Sequence, residues 1–453
     1  MSTGTLAALA PVIGGRLAGV DARFDGVSTD SRSVAAGELF VALSGPNFDG
    51  HAFVAAAAAR DAAAALVSRE VTECALPQLV VPDTRLALGA YARAWRLQAD
   101  VAVLGVTGSN GKTTVKEMAA AILNERTATL VTRGNFNNDV GLPLTLLGLG
   151  RQHRAAVIEM GANHAGEIAY LASVALPRVG VVTNAGSAHL EGFGSVEGVA
   201  RAKGELFAAL PANGCAVINA NDAFAPLWRE TAAHCRRVEF GVDVDADYRI
   251  ETAEVHSDGL VQSFPLHGPD RALEFSLPAL GRHNLQNALA AVAAAVEMGA
   301  TLDEARAALA RFAGVGGRLR WSDAHHGARV LDDSYNANPD SLEAALQVLA
   351  AVSGRHWLAL GDMLELGADA EAIHARAGER ARALGVERLF AVGPLSAAAV
   401  QAFGRNAEHF DDAVELAARV DAALEPGVTV LVKGSRGMRM ERVVAVLQNG
   451  GGE

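Results

Sequence analysis

Short continuous apolar runs alternate along this chain with helically spaced apolar positions, the pattern expected where strands are covered on both faces by helices. Runs at 40–43, 63–67 and 79–81, with an alanine-rich helical pattern over 51–60, predict a small α/β domain at the start. Pro82 and Asp83 break the pattern, and a helix over 85–98 leads into a strand at 101–106. From there strand, loop and helix repeat. Strands at 155–158, 179–183 and 215–219, with helices starting at Thr113 and Val196, predict a parallel sheet. Alternation between Tyr248 and Leu277 predicts antiparallel strands at 260–264 and 273–277, either a flank of the same domain or a small separate unit. Helices over 284–298 and 302–312 follow, and Gly314, Gly316 and Gly317 mark a flexible joint. Strands near Val330 and at 357–360, 389–392 and 428–432 then predict a second doubly wound, Rossmann-like domain.

The 453 residues are too many for one ordinary core. The pattern divides them into three α/β domains at 1–83, 84–313 and 314–453, with four as the less favoured count. A net charge of −12 argues against nucleic acid or an anionic membrane as a general partner, since both are polyanions. Arg16 is the one basic residue among the first twenty, so the charged start of a secretory signal is missing. No apolar run approaches the roughly 18–20 residues that span a bilayer. Cys74, Cys215 and Cys235 have spacings that suit neither a zinc site nor a disulfide framework, and the reading is a reducing cytoplasm.

The strongest chemical signal is VLGVTGSNGKTTVKEM at 103–118, a buried strand, a glycine-bearing turn and a helix opening at a lysine. Gly108, Ser109, Asn110, Gly111 and Thr114 would shape a cradle for phosphates, Lys112 would add a positive charge, and Thr113 would offer a hydroxyl to magnesium. ATP or GTP is the natural guest, although Val106 stands where such loops usually carry their first glycine. No NKxD-type guanine motif is present. Glu159, after the apolar run 156–158, reads as a magnesium ligand or as a helix cap. His189 reads as a metal ligand or a surface histidine, and Lys203 by itself as a solvated lysine.

Nine blocks then settle the family: GVTGSNGKTT, NFNNDVGLP (135–143), IEMGANHAGEI (158–168), HLEGFGS (189–195), ARAKGELF around Lys203, LGRHNLQNALAA (280–291), DDSYNANPDSLEAA (332–345), GDMLELG (361–367) and VLVKGSRGMRME (430–441). In this order the chain resembles the Mur ligases over its whole length, and within them the branch that adds D-alanyl-D-alanine to UDP-N-acetylmuramoyl-tripeptide. The resemblance implies an ATP-dependent, amide-forming ligase of peptidoglycan precursor synthesis, working as a cytoplasmic monomer with two Mg2+ sites. It makes Lys112 the phosphate lysine, Thr113 and Glu159 ligands of one magnesium, and His189 a ligand of the other. Lys203 becomes a carbamate formed with CO2, a further metal ligand. Asn284 and Asn287 approach adenine, Arg318 the γ-phosphate and Asp333 the ribose. STDSR (28–32), ALSG (42–45) and DGH (49–51) match the uridine-nucleotide pocket, giving Ser31, Arg32, Ser44 and His51, while Asn336 and Asn338 are expected near the dipeptide. Two rivals stay open. The sibling ligase adding a diamino acid carries a DNPR-type motif where this chain has SYNANPDS, and a relative that has lost the reaction would have lost one of Lys112, Glu159, His189 or Lys203.

Overall fold

The computed structural model describes residues 3–46, 48–186 and 190–449. Among them, three sheets of five or more strands organise the chain. The first has the order Arg16–Ala18, Gln78–Val80, Ala64–Val67, Leu39–Val41, Val27–Ser28, with its first strand antiparallel to the rest. Its continuous apolar runs have a period-2 explanation. Leu39, Val41, Ala64 and Leu66 enter the core shared with the middle of the chain. Phe40, Ala65 and Val67 enter a second core on the other face. The helix expected over 51–60 is shorter, a 3-10 turn Gly50–Phe53 continued by Val54–Ala58.

The second sheet has ten strands. Seven are parallel, in the order Thr129–Val131, Ala155–Glu159, Ala102–Thr107, Val179–Val182, Cys215–Asn219, Arg236–Val242, Tyr248–Ile250. Val261–His267 pairs antiparallel with Tyr248–Ile250, with His256–Asp258 and with Ala272–Leu277. The antiparallel strands therefore extend the parallel sheet and form no separate unit. The helix Arg282–Glu297 packs on Lys112–Asn124, and its buried run 288–295 is alanine except for Leu289 and Val292, which lets the helices approach closely.

The third sheet has the order Arg320–Asp323, Arg329–Asp333, Val428–Lys433, Arg355–Gly361, Val386–Val392, Ala407–Phe410, all parallel except the first. That edge strand escapes the sequence pattern because none of its four residues is fully buried. The glycine joint is asymmetric. Gly314, at φ 74°, has open space around it. The Gly317 N–H instead donates to Asp332 Oδ2 at 3.0 Å and its carbonyl accepts the Tyr335 N–H at 3.2 Å, which ties it to the third sheet. No helix of the described residues is long and apolar enough to cross a membrane.

The helix Thr84–Gln98 links the first sheet to the second, and Asp83 caps it by accepting from the Arg85 and Leu86 N–H groups at 2.8 and 3.0 Å. Asp83→Ala should lower unfolding free energy by about 1 kcal/mol, read from the urea midpoint at unchanged slope.

Candidate functional site

The strand Ala102–Thr107 lies between Ala155–Glu159 and Val179–Val182, so the loops leaving their carboxyl ends emerge side by side. Two glycines make the first loop possible. At Gly108, φ 143°, a Cβ would sit 1.9 Å from Thr183 Oγ1, and at Gly111, φ 83°, one would sit 2.3 Å from Asn287 Oδ1. Asn184 holds the loop's shape: its carbonyl accepts the Ser109 N–H at 3.0 Å and its Oδ1 the Asn110 N–H at 2.9 Å. The N–H groups left for a phosphate are therefore those of the opening turn of Lys112–Asn124, which have no intrahelical acceptor.

Lys112 Nζ donates to the Gly108 and Ser109 carbonyls at 2.7 and 3.1 Å. Desolvation lowers its pKa, the Glu159 charge opposes that and Arg318 adds to it. In front of the loop is a cleft of about 350 Å³. Residues 109–114, Asn284, Asn287, Arg318, Asp333, Asn336 and Asn338 all line it, and Gly108 is not among the lining residues but bonds Lys112 through its carbonyl. Asn338 caps the helix Pro339–Ala351 and also donates from Nδ2 to Asn110 Oδ1 at 2.8 Å, joining the third sheet's loops to the phosphate loop. The Arg318 guanidinium lies over the Tyr335 ring, 4.2 Å from its centre.

Sequence reasoning assigned no role to several lining residues. Lys433 Nζ donates to Asp333 Oδ2 and to the Asn336 carbonyl at 3.0 Å. Burial pushes Asp333 up and Lys433 down, and their pairing opposes both shifts. His283 lines the cleft with a buried, unpartnered Nε2, and burial followed by the Lys433 charge pushes its pKa down to about 4. Lys433 and His283 stand inside motif blocks of the sequence, but only the fold brings Lys433 to Asp333 and His283 within reach of the Lys433 charge.

Glu159 is buried. Its Oε1 accepts from Asn137 Nδ2 at 2.8 Å, whereas Oε2 has no hydrogen-bond partner and lies 3.8 Å from Lys116 Nζ. A buried carboxylate oxygen left open, within electrostatic reach of Lys112, fits a magnesium held by one acidic side chain together with substrate phosphates. Among the described residues no group of three or more His, Cys, Asp or Glu side chains forms a self-sufficient metal cage. His189 lies outside the described residues. Lys203 is 2% exposed, donates to the Ala162 carbonyl at 3.3 Å and sits over the Phe193 ring at 5.2 Å. Desolvation, then repulsion by Lys112, brings its pKa down to about 7. The solvated-lysine reading does not survive that burial.

In the first sheet's domain, His51 is buried: Nε2 accepts the Ser68 N–H at 2.9 Å, so Nδ1 carries the proton it donates to Asp49 at 2.6 Å. Ser44 donates to Asp49 at 3.0 Å, and Arg69 holds the same carboxylate well below its ordinary range. Arg32 is exposed and pairs with Asp30 at 2.7 Å, and Ser31 is half-buried beside it. Ser44 and His51 are thus knotted through Asp49, while Ser31 and Arg32 stand apart.

Comparison with known proteins bears on this arrangement. The Mur ligase middle domain matches residues 106–295, the Mur ligase glutamate ligase domain 317–436 and the Mur ligase family catalytic domain 23–96. The chain belongs to the Mur ligase family. A UDP-N-acetylmuramoyl-tripeptide–D-alanyl-D-alanine ligase of Escherichia coli (strain K12) is 46% identical over 99% of both chains. Among solved structures, a crystal structure of MurF from Acinetobacter baumannii superposes with TM-score 0.91 at 36% identity over 99% of both chains. The MurF ligase from Thermotoga maritima in complex with ADP gives 0.83 at 28% identity, covering 93% of this chain and 96% of its own. As a Mur ligase, the chain places its family blocks around one cleft: the phosphate loop, the helix opening at Arg282 and the loop after Asp333 all line it.

The Lys203 environment yields a pH test. A neutral amine takes up CO2 and an ammonium does not. With metal-free protein at fixed CO2 pressure, a 13C carbamate signal assigned to Lys203 should therefore grow as pH rises through about 7. A surface-like lysine would need pH above about 10 for comparable uptake.

Proposed function

We infer that this Mur ligase joins D-alanyl-D-alanine to UDP-N-acetylmuramoyl-tripeptide at the expense of ATP, in peptidoglycan precursor synthesis. The observation that carries the reading is the full-length likeness to ligases of that name, supported by a phosphate cleft built from both the second and third sheets.

A carboxylate is a poor electrophile. Transfer of the γ-phosphoryl group of ATP to the tripeptide's terminal carboxylate makes an acyl phosphate, the dipeptide's amine attacks its carbonyl carbon, and phosphate leaves with the former carboxylate oxygen. Lys112 and Arg318 stabilise charge on the phosphoryl oxygens, and the turn from Gly111 orients them. Asp333, fixed by Lys433, faces the ribose, and Asn284 and Asn287 the adenine. Thr113 and Glu159 would hold one Mg2+, with Lys203 as a carbamate and His189 holding the second. Bound magnesium would supply charge neutralisation along the phosphates. Ser31, Arg32, Ser44 and His51 remain the proposed uridine-side residues, with His51 acting through Asp49. A monomer working in the cytoplasm, where ATP and a nucleotide-linked precursor are found, remains the proposed setting.

The test supplies pure protein with ATP, magnesium and UDP-N-acetylmuramoyl-tripeptide, and offers D-Ala-D-Ala, D-alanine or a diamino acid as the amine. Phosphate release and a pentapeptide mass with the dipeptide alone are expected. Amide formation only with a diamino acid on the dipeptide-stage precursor would assign the sibling reaction instead.

A further inference from the structure

The cleft residues account for phosphate, ribose and adenine, and leave the free carboxylate of the incoming dipeptide without a cation. Beside the cleft, the loops that follow three adjacent parallel strands, Arg329–Asp333, Val428–Lys433 and Arg355–Gly361, are laced together. Ser435 Oγ accepts the Leu364 N–H at 2.8 Å and donates to the Ala337 carbonyl at 3.3 Å, and the Ser435 N–H donates to the Asp362 carbonyl at 3.0 Å. The Arg436 N–H donates to Asn336 Oδ1 at 3.3 Å, so Arg436 begins where the nucleotide cleft ends.

Tyr335 carries two guanidiniums, Arg318 from the cleft at 4.2 Å and Arg436 at 5.3 Å from the ring centre, which keeps their carbons within about 10 Å of each other. Arg436 is exposed and held by Glu441 at 3.0 Å, an exposed pair worth little and using only some of the five guanidinium donors. Leu364 is 43% exposed beside Gly437, an apolar wall at the scale of a methyl group.

We propose that Arg436 binds the terminal carboxylate of the incoming dipeptide. The proposal rests on the ligase reading above. A dipeptide held there has its carboxylate at the edge of the cleft that Arg318 lines. The planar fork matches a carboxylate bidentately, whereas Lys offers only a point charge.

The experiment measures kcat and KM of the full-length protein, its Arg436→Met and its Arg436→Lys variants, with D-Ala-D-Ala and with its C-terminal amide. The unaltered protein should lose about 10- to 100-fold in kcat/KM when the carboxylate is amidated. Arg436→Met should lose a similar factor with the acid, in KM for the dipeptide, and treat acid and amide alike, while KM for ATP stays within about twofold. Arg436→Lys should recover only part of the preference. If Arg436→Met still prefers the acid by the original factor, the assignment is wrong. If the unaltered protein makes no amide from the acid dipeptide, the ligase reading fails and takes this proposal with it.

Discussion

Positive charge gathered in poorly solvated surroundings is the constraint on which the site depends. Lys112 and Lys203 donate to backbone carbonyls, Arg318 lies on a ring, and Lys433 is paired with Asp333. Burial disfavours the charged form of Lys112 and of Lys203, and an arriving anion relieves that cost. In the proposed reaction a polyphosphate would supply that anion at Lys112 and Arg318. At Lys203 the same desolvation that disfavours the ammonium leaves a nucleophilic amine, which can become an anion itself by taking up CO2. Binding and chemistry thus have one electrostatic origin.

Those charges arrive from different parts of the chain, so the arrangement depends on how the third sheet meets the second. Asn338 serves both sides, opening its own helix with a capping box and bonding Asn110 of the phosphate loop. Gly317 and Tyr335 are bonded through the main chain, which places Arg318 with the third sheet's loops and leaves Gly314 as the freer half of the joint.

Much of this was legible from the residues because it is local. Strand, glycine turn and Lys112 are contiguous, and the alternating cores on the two faces of the first sheet leave continuous apolar runs that any window detects. The edge strand Arg320–Asp323 was not legible, since its residues are only partly buried and carry no period. Asn184, His283 and Lys433 were invisible as site residues for a different reason: each matters through partners brought in by the fold, such as Ser109, Asn110 and Asp333. Lys203 shows the limit most plainly. Its type and spacing read as an ordinary surface lysine, and only its near-complete burial, with the family likeness, points to reactive chemistry.

The central claim, that this charged cleft moves a phosphoryl group onto a carboxylate before the amide forms, has a direct isotopic test. UDP-N-acetylmuramoyl-tripeptide carrying 18O in its terminal carboxylate is turned over with ATP and D-Ala-D-Ala, and the released phosphate is weighed. Activation as an acyl phosphate predicts one 18O in each phosphate released, with ADP as the other nucleotide product. Unlabelled phosphate, or release of AMP with labelled oxygen attached, would contradict the account.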